Sequence, residues 1–200
     1  MGKEQLVKTA LFKAVEELLE NTSLEEVTVG QIAEKAGLSR RTFYRYYRDK
    51  YDLVNAAFYE EMVRVTDLLK IPRDFDKGIV YAMDYFQEHR AFYKKLFDYT
   101  GQNSMREFLY NFSIEATCRM IEGRPGAKEL TEEQRFSIHY HTYGAVGMAV
   151  EWILAGCPVD SRILAERIFR NIPAGLKETF RLGQPESDQA EVNQPGPSGP

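Results

Sequence analysis

The sequence predicts an all-α protein, with an N-terminal three-helix helix-turn-helix domain joined by a linking helix to a larger helical domain. Three observations carry this reading. Apolar residues recur at the helical period of 3.6 almost throughout, and no convincing run alternates as a strand does. Cap residues and Gly or Pro breakers punctuate that period at helix-length intervals. The stretch from Lys35 to Lys50 holds six basic residues against one acid, a local balance of +5 in a chain of net charge −4.

The first helix is expected from about Glu4 to Glu20. Leu6, Ala10, Leu11, Ala14, Val15 and Leu18 line one side and Glu16, Glu17 and Glu20 the other, and Asn21-Thr22-Ser23 ends it. Thr28 offers a hydroxyl cap to a second helix carrying Ile32, Ala33 and Ala36, which Gly37 ends. Ser39 caps a short third helix. Asp49 stands at the start of a fourth, which carries Leu53, Val54, Ala57, Phe58 and Met62 towards Leu69. Ile71-Pro72-Arg73 breaks the pattern and marks a boundary. Beyond it, helices are expected at roughly 75–89, 91–99, 104–122, 131–155 and 161–172. Gly123-Arg124-Pro125-Gly126 reads as a loop, and Thr131 with Gln134 as a capping box. Gly156-Cys157-Pro158 closes the long helix and Ser161 caps the last. The resulting division is 1–50 for the helix-turn-helix domain, 51–172 for the second domain and 173–200 for a poorly ordered polar tail.

The basic stretch carries the chemistry. A basic, aromatic-interleaved patch on an otherwise acidic protein is the electrostatic footprint of a nucleic-acid contact. Phe43 and Tyr47, one turn apart, should plug the small core with Ile32, Ala33 and Leu38. Arg41, Thr42 and Arg45 then point away from it, with Arg40 and Tyr44 along the edge. A helix of this width enters the major groove, where guanidinium groups take guanine O6 and N7 in a bidentate fork. Thr42 and Tyr44 can give hydroxyls to phosphates, and Lys50 and Thr28, near helix N-termini, can grip the backbone. A merely solvated basic face would rarely spend three tyrosines and a phenylalanine beside four arginines in nine residues.

The chain resembles the TetR family of transcriptional regulators. The resemblance lies in Val27-Thr28-Val29, in Ile32-Ala33-Glu34-Lys35-Ala36-Gly37-Leu38-Ser39, and in Thr42-Phe43-Tyr44-Arg45-Tyr46-Tyr47 continuing to Asp49-Lys50 and Leu53. Tyr47 stands where the family usually has Phe, and Tyr46 where it often has His. The second half is similar to the C-terminal regulatory domain of Firmicutes-type members. The resemblance implies DNA contacts from Thr28, Ser39, Arg40, Arg41, Thr42, Tyr44, Arg45, Tyr46 and Lys50, a palindromic double-stranded operator, a homodimer, and repression relieved by a small-molecule effector. Phe86, Phe112, Tyr140 and Tyr143 are the expected pocket residues, because aromatic rings pack while a hydroxyl orients a ligand. Gly144, Ala145, Gly147, Met148 and Ala149 thin the long helix, and Ile163, Leu164, Ile168 and Phe169 stripe the last, so the two would pair across a two-fold. The fourth helix is the expected lever between pocket and DNA. A co-regulator that acts through a protein partner with weak DNA contact is the alternative.

Other chemistry finds little support. His139 and His141 stand at i and i+2, about 200° apart on a helix, and cannot chelate one ion. No phosphate loop, nucleophile elbow or metalloprotease signature occurs, so no enzyme, metal or cofactor is expected. Cys118 and Cys157 fit no disulfide framework, no apolar run nears the ~20 residues that cross a bilayer, and the N-terminus lacks a signal-peptide pattern. A cytoplasmic location without membrane association is the expectation.

Overall fold

The computed structural model describes residues 2–69, 75–123 and 126–181, and every regular element among them is an α-helix. In chain order these are α1 (Lys3–Leu19), α2 (Val29–Lys35), α3 (Arg40–Tyr44), α4 (Lys50–Leu69), α5 (Phe75–Glu88), α6 (Arg90–Asp98), α7 (Met105–Glu122), α8 (Glu132–Leu154), α9 (Ser161–Arg170) and α10 (Ala174–Arg181). The expected break at Ile71-Pro72-Arg73 lies outside the described residues, as do Arg124 and Pro125 of the expected loop.

Local chemistry sets most ends. Thr28 and Gln31 form a reciprocal capping box at α2, and Thr131 and Gln134 form another at α8. Gly37 adopts φ +67°, which lets the Leu38 N–H reach Ala33 O at 2.8 Å and the Gly37 N–H reach Glu34 O at 3.0 Å. The same motif closes α8, where Gly156 at φ +84° places the Cys157 N–H 2.8 Å from Trp152 O.

Two expectations need correction here. Ser161 does not cap α9: the Asp160 carboxylate does, accepting from the Arg162 N–H at 2.9 Å. Ser161 is buried instead and ties α9 to α5, its hydroxyl donating to Asp84 at 2.5 Å and its N–H to Gln87 at 2.9 Å. The stretch expected to be a tail from residue 173 folds as α10 before leaving the described residues at 182. Ile172 and Leu176, one turn apart, bury against Ile121, Leu130 and Ile138, and Pro173 O accepts from Leu176 and Lys177 at 3.0 Å. That apolar pair outweighs the weak propensity of the surrounding Gly and Pro.

A small N-terminal core gathers Leu11, Val15, Leu19, Leu24, Val27, Ile32, Phe43, Tyr47 and Leu53 from α1 to α4. It runs on without a break into the second half. There α5 packs along α9, α7 along α8, and α6 against α7 and α8. α1 and α4 bridge the halves. Phe12 meets Phe92 edge-on at 5.5 Å, Tyr51 stacks on Tyr99 at 4.6 Å, and Asn55 Nδ2 donates to Asn103 O at 3.2 Å. α4 therefore carries the recognition motif at one end and packs against α7 further along.

Candidate nucleic-acid interface

The turn at Gly37 and the Ser39 cap present α3. Ser39 Oγ accepts from the Thr42 N–H at 3.1 Å and lies 3.0 Å from Thr42 Oγ1. Phe43, fully buried, anchors the helix from below, and Tyr47 is buried with it. Burial pushes the Tyr47 phenol up to about 12, so this ring is core and not a contact. Arg41, Tyr44 and Arg45 stand outward, Tyr44 58% exposed with its ring edge-on to Phe43 at 5.5 Å. Among the described residues no carboxylate pairs with Arg40, Arg41 or Arg45. That leaves their charge available to phosphate or guanine.

Several of the expected contact residues also have internal work. The Arg40 guanidinium lies across Gly30, close enough that a Cβ there would sit 2.5 Å from a terminal nitrogen. Arg40 thus braces α3 on α2. Arg45 donates to Tyr46 Oη at 2.9 Å, its guanidinium carbon 4.8 Å from that ring's centroid, so the two form one unit. The exposed Thr28 shares its hydroxyl and N–H with Gln31. Lys50 is the clearest departure from expectation. Its Nζ donates to Glu25 O at 2.7 Å and Val27 O at 2.6 Å, and partial burial lowers its pKa. Its ammonium holds the α1–α2 loop, and a phosphate would have to compete with two carbonyls. Arg48, part of the basic stretch but not among the expected contacts, has an exposed guanidinium that pairs with Asp52 at 3.0 Å at the start of α4. The i,i+4 spacing signalled that pair.

A second site lies inside the C-terminal half. A cavity of about 460 Å³ opens between α4, α5, α7, α8, α9 and α10. Of the four residues expected at a pocket, Phe86 and Phe112 line this cavity and Tyr140 and Tyr143 do not. They are 72% and 52% exposed, on the outer face of α8. The inward positions are Ile138, Thr142, Ala145, Val146 and Ala149, whose 3–4-residue spacing leaves the two tyrosines on the other side. His141 lines the cavity while His139 is exposed. Burial, and then the charge of Lys177, lowers the His141 pKa.

Exposed apolar residues on α8 and on α9 make a third feature. Phe136, Tyr140, Tyr143, Met148, Ile163 and Phe169 are all exposed, and Gly144 meets no atom within 4 Å of where a Cβ would lie. Of the residues expected there, Gly144, Met148, Ile163 and Phe169 have this placement. Ile168 is instead buried and lines the cavity, and Gly147 faces Tyr110 of its own chain at 3.8 Å. Among the described residues no helix is long and apolar enough to cross a membrane.

Comparison with known proteins follows this division. Residues 11–57 match the family described as bacterial regulatory proteins, tetR family, and residues 73–173 match the transcriptional regulator C-terminal region. The HTH-type dhaKLM operon transcriptional activator DhaS of Lactococcus lactis is 22% identical over 97 residues, 48% of this chain and 52% of that protein. The chain therefore spans about half the length of this curated relative. A solved structure of a dihydroxyacetone kinase operon activator DhaS aligns over 86% of this chain and 97% of its own, at TM-score 0.64 and 18% identity. NalD, the secondary repressor of the MexAB-OprM multidrug efflux pump in Pseudomonas aeruginosa, covers 86% of this chain and 98% of its own at TM-score 0.58 and 18% identity. At such identities these structures share the fold alone.

Proposed function

The chain belongs to the TetR family of bacterial regulatory proteins, and from that premise we propose that it binds a palindromic operator as a homodimer and is released by a small molecule in its internal cavity. It is a DNA-binding transcriptional regulator and not an enzyme. The observation that carries the finer reading is the outward-facing cation set of α3 and its C-cap, which no carboxylate neutralises among the described residues, held on a fully buried Phe43. Arg41, Tyr44 and Arg45 read base edges; Ser39, Thr42 and Thr28 position the backbone; Arg40 and Tyr46 brace the readers. Lys50 contributes mainly by holding the loop that precedes α2.

The dimer reading rests on the apolar face of α8 and α9. A single five-residue recognition helix reads too few base pairs for useful specificity, whereas two related by a two-fold read half-sites about 34–36 Å apart. The cavity touches α4 through Phe58, Tyr59, Met62 and Val63, so a ligand that binds one α4 position better must lower the population of the other. Repression by occlusion is the reading adopted for the sign of control. Activation is the second reading, favoured by a relative, DhaS, that carries the name of an activator.

A Phe136→Glu, Met148→Glu variant tests the dimer. Both side chains are more than half exposed in the single chain, so its fold should survive. By sedimentation the variant should be a monomer, with operator affinity down at least ~100-fold because the two half-sites no longer cooperate. A variant that stays dimeric, or a monomeric wild type that binds the full palindrome, would refute this arrangement.

A further inference from the structure

We infer that the cavity takes an uncharged, elongated hydrophobe carrying one hydrogen-bonding group, which Thr142 and His141 anchor. This rests on the reading of the cavity as the effector site and specifies its chemistry. The walls are apolar over most of their length. Phe58, Phe86 and Phe112 belong to one apolar cluster along the wall, and Ile138 and Leu176, with Met120 packed against them, to a second. Along α7 alone the lining runs from Leu109 to Met120, about 16 Å at 1.5 Å per residue, which suits an extended or flat molecule.

Polar groups are few and differ in kind. Glu115 and Arg119 reach the lining, but each side chain is more than half exposed and they pair with each other, which places them at the rim. Tyr81 donates to Glu61 at 2.7 Å and Thr117 to Ser113 O at 2.8 Å, so both hydroxyl protons are already committed. Ser113, half-buried, and Tyr59, 42% exposed, also line the cavity, and Thr142 is the most buried of these hydroxyl carriers. It is 6% exposed, it lines the cavity, and among the described residues its hydroxyl has no hydrogen-bond partner. The hydroxyl is open to the cavity rather than sealed among protein atoms, so a ligand group there can hydrogen-bond to it. At His141, one residue earlier, burial lowers the pKa and so favours the neutral imidazole, which has one donor and one acceptor. An ionised ligand would lose its hydration, and among the described lining residues the charges of Glu115 and Arg119 already pair with each other at the rim.

Four probes of matched shape test this by calorimetric titration of the full chain: hexylbenzene, 4-hexylphenol, 4-hexylbenzoate and 4-hexylbenzylammonium. The phenol should bind about tenfold more tightly than hexylbenzene and about 100-fold more tightly than either ion. Thr142→Val should remove most of the tenfold advantage while leaving hexylbenzene affinity unchanged, which a misfolded variant would not do. Ala149→Phe, which fills the cavity, should abolish binding of all four. Equal or tighter binding of an ionised probe, an unchanged phenol affinity in Thr142→Val, or no probe binding at all would overturn the assignment. Operator binding measured on the same samples separates the two layers. A chain that binds the phenol as expected but no DNA sinks the regulator reading and leaves the cavity chemistry standing.

Discussion

An Arg41→Ala, Tyr44→Ala variant is expected to lose operator affinity by about 1000-fold while keeping its fold. Each direct contact of this kind contributes roughly 1–3 kcal/mol of discrimination. Two are removed per subunit and four per dimer, so the loss runs to the floor set by non-specific binding, typically ~10³-fold or more below specific affinity. Both residues lie on the exposed side of α3, with Tyr44 58% exposed, and surface changes of this sort usually move stability by about 0.5 kcal/mol or less. The measurement is operator titration by fluorescence anisotropy, paired with a thermal melt. Unchanged affinity in a folded variant would remove α3 as the reading element. Arg40 is a poorer choice, since it braces α3 across Gly30 and its loss would confuse contact with structure.

Phe58→Ala should produce the largest loss of stability in the molecule. The ring is 1% exposed on α4, stacked on Phe86 at 5.6 Å and edge-on to Phe112 at 5.5 Å, to Tyr93 at 6.1 Å and to Phe108 at 6.3 Å. Truncating a buried phenylalanine costs about 3–5 kcal/mol through lost transfer energy and the space left behind. For a chain of this size that corresponds to a fall in Tm of roughly 10 °C. Because Phe58 also lines the cavity, the vacated volume joins it, and hydrophobic probes should recover part of the lost Tm. A fall below about 3 °C would mean that the aromatic cluster does not hold α4 against α5 and α7.

Elements governed by local chemistry were legible in the sequence. The caps at Thr28, Ser39 and Thr131 and the stops at Gly37 and Gly156 use neighbours three to five residues away, and each stands where the residue types put it. The burial of Phe43 and Tyr47 was legible because a five-residue helix on a small core leaves only one face to choose. What was not legible depends on partners distant in sequence. Nothing near Lys50 announces that Glu25 O and Val27 O wait 25 and 23 residues away. Ser161 reads as a cap until Asp84 and Gln87 appear across 77 and 74 residues. On α8, apolar and aromatic residues occur on every side, so aromatic character alone could not say that Tyr140 and Tyr143 face outward while Thr142 faces in. Ile168 and Ile163 belong to one apolar stripe in sequence, and the packing of α9 on α5 divides them between cavity and surface.

The central claim is sequence-specific DNA binding through α3 by a two-fold dimer. Its most direct test is a genomic-fragment binding selection with the purified full chain at moderate salt. The account expects enrichment of a palindrome whose half-sites lie about one helical turn or a multiple apart, with affinity that falls steeply and linearly on a log-log plot against salt. Enriched sites without two-fold symmetry, no enrichment at any salt, or an affinity indifferent to salt would contradict it, and a lack of enrichment would turn attention to a regulator that works through a protein partner.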